Sequence, residues 1–246
     1  MAPGTDRNGA DTALTPVVLL PGMMCDARLF EPQITALSRE RAVMVAPVTQ
    51  GERVEEIASN IIDQLPLRFA LAGLSFGGIV AMEVLRRVPD RVSRLCLMDT
   101  NPLAETPAVA AMREPMIVRA RAGRLDEVLQ DAMRPEYLAP GPGRIGVLNR
   151  MSEMGRELGV EVFVNQSRAL QRRRDQQGTL RKLKVPTLVL CGEFDTLTPV
   201  KRHEFMAELI PGATLKVIAD AGHIPVLEQP EQTTQALRDW LDQRVT

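Results

Sequence analysis

The chain has 246 residues, enough for one domain with an inserted subdomain, and 45% of them are apolar against 25% charged. Thirty basic and 31 acidic side chains leave a formal net charge of −1, which gives no whole-protein attraction to nucleic acid or to an anionic membrane. One Trp and one Tyr make no stacking platform for bases, and no apolar run nears the roughly 20 residues that span a bilayer.

In chain order, "MAPGTDRNGADTALTP" is polar and glycine-rich and lacks the apolar core of a signal peptide. Residues 1–15 are expected to form a disordered tail. "PVVLLPG" (16–22) is a predicted buried strand and "RLFEPQITALS" (28–38) the helix after it; "RAVMVAPV" (41–48) is the next strand. In "RVEEIASNIIDQL" (53–65), Val54, Ile57, Ala58, Ile61 and Leu65 recur at helical spacing. "RFALAGL" (68–74) predicts a strand and "FGGIVAMEVLRRVP" (76–89) a helix stopped at Pro89. Strands follow at 92–99, 186–193 and 214–220, and helices at 199–209 and 230–243. Continuous apolar strands alternating with helices predict a mostly parallel sheet covered on both faces, with ligands bound beyond the carboxyl ends of its strands.

Residues 101–184 break the alternation. They hold no convincing strand, carry six prolines from Pro102 to Pro142, and show helical faces through Leu125, Val128, Leu129, Ala132 and Met133 and through Leu148, Met151, Met154 and Leu158. They are expected to form a helical insertion over the carboxyl edge, flanked by a core made of 16–100 and 185–246. Cys25, Cys96 and Cys191 are widely spaced and form no CxxC pair, which points to free thiols and a cytoplasmic, reducing location.

The chemistry concentrates at "GLSFG". Gly73-Leu74-Ser75-Phe76-Gly77 matches G-x-S-x-G between a predicted strand and a predicted helix, the context in which a tight turn projects the serine hydroxyl clear of the backbone. A serine needs a base to take its proton, and the chain has two histidines. His203 lies in the charged helical stretch "PVKRHEF" and is expected on a solvated face. His223, in "ADAGHIPVLEQPE" after the last strand, is the candidate base. The base needs a carboxylate to hold its tautomer. Asp195, after the penultimate strand, is preferred, with Glu193 and Asp99 as alternatives; Thr198 is expected to cap the next helix, with Pro199 at its first position. The main-chain N–H groups of Met23 in "LLPGMMCD" and of Phe76 are candidates for an oxyanion hole.

With these stretches in place, the sequence resembles the α/β-hydrolase family over residues 16–243. Motif, strand context and the order Ser75, Asp195, His223 agree with it. The resemblance implies a nucleophile at Ser75, an acid at Asp195, a base at His223, oxyanion donors at Met23 and Phe76, and a helical lid at 101–184. Two departures stand out. Pro21-Gly22 replaces the His-Gly pair of many members, and the strand at 16–22 matches the family's third, so one or two leading strands are expected to be missing. Epoxide hydrolases and haloalkane dehalogenases of this fold carry an aspartate where Ser75 stands.

Arg168, Arg172, Arg173 and Arg174, with Arg181, Lys182 and Lys184, read as a solvated lid face paired with acids, or as an anchor for an acidic substrate or acyl-carrier partner. Met112, Met116, Met133, Met151 and Met154 read as lid core. No GxGxxG or P-loop occurs, and two histidines with three scattered cysteines form no zinc site, so no cofactor or metal is expected. The expected function is cofactor-independent hydrolysis of a small or medium carboxylic ester through an acyl-enzyme on Ser75. The alternatives are a C–C bond hydrolase of the same fold and a non-catalytic small-molecule receptor.

Overall fold

A computed structural model describes residues 15–243; apart from Thr15, the expected N-terminal tail lies outside them. The first apolar run forms β1 (Val17–Leu20), and a 3₁₀ turn at Ala27–Phe30 leads into α1 (Glu31–Leu37). The helix expected over 28–38 thus comes in two pieces. Asp26 accepts from the Arg28 N–H at 2.9 Å to start the turn, and Pro32 suits the first positions of α1 because they need no donor. Then follow β2 (Val43–Val45), α2 (Val54–Ile62), β3 (Phe69–Leu74), α3 (Phe76–Arg87) and β4 (Val92–Met98).

The segment between β4 and the next strand is helical: α4 (Pro107–Arg121), α5 (Leu125–Ala132), α6 (Arg144–Gln171) and α7 (Gln177–Leu180). Pro115 lies inside α4 and does not end it. Gly159, at φ 81°, breaks the helical path of α6. The chain returns through β5 (Thr187–Gly192), α8 (Val200–Leu209), β6 (Thr214–Ile218), α9 (Pro225–Glu228) and α10 (Pro230–Leu241).

All strand pairs are parallel, in the order β2-β1-β3-β4-β5-β6. Side chains alternate across each strand, so each strand feeds two cores. Val18, Leu20, Leu71, Leu95, Leu97 and Val189 pack toward α2, α3 and α8. Val17, Leu19, Ala72, Cys96, Met98, Leu188 and Leu190 pack with α1 and α10, around Leu37, Leu237 and Trp240. Burial of each such aliphatic side chain contributes about 1.5–3 kcal/mol. The face predicted through Val54, Ile57, Ala58, Ile61 and Leu65 is buried in full, although α2 ends at Ile62 and Leu65 lies beyond it.

Connections leave β1 and β3 toward opposite sides, because β2 lies outside β1 while β4 lies outside β3. A crevice therefore opens at their carboxyl ends. The helices α4 to α6 cover it, sharing a small core of Ile117, Ala120, Val128, Leu129, Phe163 and Val164 with Met24. Gln166 of α6 anchors them: its amide donates to Val48 O and accepts from the Met24 N–H, both at 2.9 Å. Among the described residues no helix is long and apolar enough to cross a membrane.

Candidate active site

Ser75 sits between β3 and α3 at φ 53°, ψ −114°, a left-handed conformation that costs a non-glycine residue about 1–3 kcal/mol. The surroundings enforce it. The Ser75 N–H donates to Met98 O at 2.8 Å, and its carbonyl accepts from the Gly78 and Ile79 N–H groups and from the Thr100 hydroxyl at 2.7 Å. A Cβ at Gly73 would strike the Gly77 backbone, and one at Gly77 would strike the Leu20 carbonyl. The two glycines of the motif are thus where strand and helix come too close for side chains.

The His223 Nε2 lies 2.9 Å from Ser75 Oγ, and its Nδ1 lies 2.8 Å from Asp195 Oδ2. His223 is 1% and Asp195 3% exposed, so this chain of three groups is shielded from water up to the serine. The His223 loop is held from three sides. Its own N–H donates to Tyr137 O at 2.7 Å, while Glu228 accepts from the Gly222, Ile224 and Ala139 N–H groups at 3.0, 2.9 and 2.7 Å. Glu228 carried no signal in the sequence beyond lying four residues past Ile224 in the same loop.

Asp195 accepts from the Leu197 and Thr198 N–H groups at 2.8 and 2.9 Å and from the Thr198 hydroxyl at 2.5 Å. Thr198 is therefore not a helix cap. Pro199 takes the cap position and α8 begins at Val200, because the threonine is committed to the carboxylate. Burial opposes ionisation of Asp195, but His223 beside it and the bonds from His223 and Thr198 hold its carboxyl below the ordinary range.

The alternative acids fall elsewhere. Glu193 is exposed and accepts from the Asp220 N–H at 3.3 Å. Asp99 is fully buried and accepts from the Gly192 N–H at 2.9 Å, while its Oδ2 has no hydrogen-bond partner. Burial, and then the negative Asp195 nearby, push its carboxyl well above the ordinary value. Of the two neighbouring acids, burial and charge thus favour the protonated form at Asp99 and the ionised form at Asp195.

His203 does not occupy a solvated face. It is 0% exposed; its Nε2 accepts from the Thr100 N–H at 3.1 Å and its Nδ1 donates to Pro199 O at 3.3 Å. The accepting Nε2 requires the proton on Nδ1, and burial lowers the pKa to about 4, so the ring is neutral. The charged stretch around it hid this role: only the start of α8, turned onto the end of β4, brings ring and Thr100 together.

Met23 and Phe76 line the same cavity as Ser75 and His223, a space of about 860 Å³. Met112, Met116, Met133 and Met151 also line it, whereas Met154 is fully buried in the core. Met151 and Met154 belong to the core, Met133 and Met116 pack against it, and Met112 is exposed at the cavity, so these methionines serve as core and as pocket wall together. Asp99, Asp195 and His223 place potential metal-ligating atoms within 4.8 Å of one another, but both His223 nitrogens and both Asp195 oxygens already hold other partners. Of the basic run, Arg168, Arg172 and Arg174 pair with Glu114, Glu52 and Glu55.

Comparisons with known proteins agree with this architecture. A pimeloyl-[acyl-carrier protein] methyl ester esterase of Neisseria meningitidis is 25% identical over 256 residues, covering 96% of this chain and 97% of that protein. An esterase from Thermogutta terrifontis, solved with malate bound, superposes with a TM-score of 0.85 at 30% identity, covering 92% of this chain and 89% of that one. The enol-lactonase of Burkholderia xenovorans shares the fold, with a TM-score of 0.82 at 24% identity over 97% of this chain and 94% of its own. The model of the alpha/beta hydrolase family matches residues 17–236, and the chain belongs to that family.

Proposed function

We propose that the protein hydrolyses a small or medium carboxylic ester, without a cofactor, through an acyl-enzyme on Ser75. The observation that carries this reading is the buried sequence Asp195–His223–Ser75, with contacts of 2.8 and 2.9 Å, ending at a hydroxyl that lines a cavity of about 860 Å³. His223 Nε2 takes the Ser75 proton as Oγ attacks the ester carbonyl. Asp195 holds the proton on Nδ1 and stabilises the imidazolium. The Met23 and Phe76 N–H groups take the charge that develops on the carbonyl oxygen. The imidazolium then protonates the departing alcohol, and the same nitrogen removes a proton from the water that frees Ser75. The 101–184 segment serves as the lid, with the Pro140–Gly143 stretch as its hinge. The esterase relatives support an ester as substrate.

The test is a panel of p-nitrophenyl esters from acetate to decanoate, with C–C hydrolase substrates alongside, and product counted per Ser75 titrated with a fluorophosphonate. Linear release over many equivalents on the esters is expected. Turnover on the C–C substrates alone would assign that chemistry instead, and one stoichiometric burst with no turnover would make the protein a receptor.

A further inference from the structure

One arginine of the basic run behaves unlike its neighbours. Arg168, Arg172 and Arg174 each hold a glutamate. Arg173 turns inward, lines the cavity shared with Ser75 and His223, and keeps its Nε buried without a hydrogen-bond partner. Three charged groups lie within its electrostatic reach: Glu105, Arg113 and Arg202. Glu105 is the one negative charge among them, and it is taken. Arg113 grips both its oxygens at 2.5 to 3.1 Å, with the Glu105 side chain 3% exposed. Burial lowers the Arg173 pKa to about 10, Glu105 resists that fall, and Arg113 and Arg202 add to it. Arg173 thus remains charged at neutral pH. The buried Nε has no acceptor and, among the described residues, no anion is hydrogen-bonded to the half-buried guanidinium, so a fold that keeps it in a cavity wall leaves the counter-ion to a ligand.

We propose that Arg173 binds a free carboxylate on the substrate, so that the cavity takes a half-ester: a scissile ester at one end of a chain and a carboxylate at the other. The planar guanidinium fork matches a carboxylate with two parallel hydrogen bonds. Ile79, Met112, Met116, Met133 and Met151 make much of the remaining wall apolar, which suits a methylene chain joining the two polar ends. This inference deepens the ester-hydrolase reading and rests on it.

The experiment compares kcat/KM for monomethyl esters of the straight-chain C4 to C9 dicarboxylic acids with their dimethyl esters, which differ by one charge. The wild type is expected to favour the half-ester at its best chain length by at least about tenfold, the size of one charge-assisted contact. Arg173→Gln is expected to lower that ratio at least about tenfold, and Arg173→Lys to keep part of it. A misfolded or badly packed variant slows both esters together and leaves the ratio intact, so the ratio reads recognition alone. A wild-type ratio near one, or a ratio unmoved in Arg173→Gln, overturns the proposal. So does a preference for methyl ω-phosphonoalkanoates of equal length, which would assign the site to phosphate-like anions. If the wild type hydrolyses no ester, including the p-nitrophenyl panel, the hydrolase reading fails separately. Calorimetric binding of the C4 to C9 dicarboxylates to Ser75→Ala then decides Arg173 by itself: binding that weakens at least about tenfold when Arg173→Gln is added supports it, and absent or unchanged binding overturns it.

Discussion

The Thr100 hydroxyl donates to the main-chain carbonyl of Ser75 at 2.7 Å. Thr100 in turn gives its N–H to His203 Nε2 at 3.1 Å, so the end of β4, the start of α8 and the Ser75 turn form one hydrogen-bonded unit. Thr100→Val keeps the shape and removes the hydroxyl. One buried hydrogen bond contributes about 0.5–1.5 kcal/mol, so kcat is expected to fall roughly two- to tenfold and the rate of fluorophosphonate labelling of Ser75 to fall with it. An unchanged labelling rate would show that the Gly78 and Ile79 N–H groups suffice to hold the turn.

Ser75 separates function from stability. Ser75→Ala should lower kcat by about 10⁴-fold or more. Ser75→Gly should be as inactive yet more stable, because glycine adopts φ 53° without the strain a side chain meets there. Strain relief of about 1–3 kcal/mol, less the extra chain entropy of glycine, leaves a gain near 1 kcal/mol, or roughly 2–4 °C in Tm. Thermal melts of the two variants side by side measure it. A glycine variant melting below the alanine variant would show that the turn is not strained.

Asp195→Asn and Asp99→Asn should differ sharply. The first is expected to lower kcat by about 10⁴-fold, since an amide there favours the wrong imidazole tautomer. The second removes a carboxyl whose protonated form the fold favours and which does not touch His223, so its loss should be far smaller. Stability adds a second readout. The folded pKa of Asp99 is raised, so its contribution is present in acid and lost as pH climbs above the unfolded value of about 3.9. The Tm advantage of Asp99→Asn over wild type should therefore grow from pH 4 to pH 7. A loss of activity confined to Asp99→Asn would move the acid to Asp99.

His203 predicts an acid limb in stability. Its folded pKa of about 4 lies below the unfolded value near 6.5. Between those values the unfolded chain binds a proton that the fold refuses, so stability falls as pH drops, by roughly 3 kcal/mol over the window. Asp195, His223 and Arg202 face the same ring and set its field. His203→Gln keeps an acceptor for the Thr100 N–H and cannot charge. Denaturant melts from pH 7 to pH 4 should show a flatter profile for the variant, and an equal slope would remove His203 from the account.

Alternating apolar strands and helices, the glycine-flanked serine and the spacing of Asp195 and His223 were all legible from the residue order. Hydrophobic periodicity and turn chemistry act over a few residues, which is why β1 to β6 and the α2 face fall where the pattern puts them. Contacts made across the sheet were not legible. His203 reads as a charged-helix residue until the start of α8 meets Thr100 just beyond β4, and Thr198 reads as a cap until the Asp195 carboxylate competes for its hydroxyl. The methionines of 101–184 and Arg173 share one sequence pattern whether they face core, solvent or cavity. Only the folded arrangement places Met112, Met116, Met133, Met151 and Arg173 together along one cavity. Local sequence determines an element and which of its faces is apolar; what that face meets is decided by chain segments more than a hundred residues away, as Gln166 shows in joining α6 to Met24 and Val48.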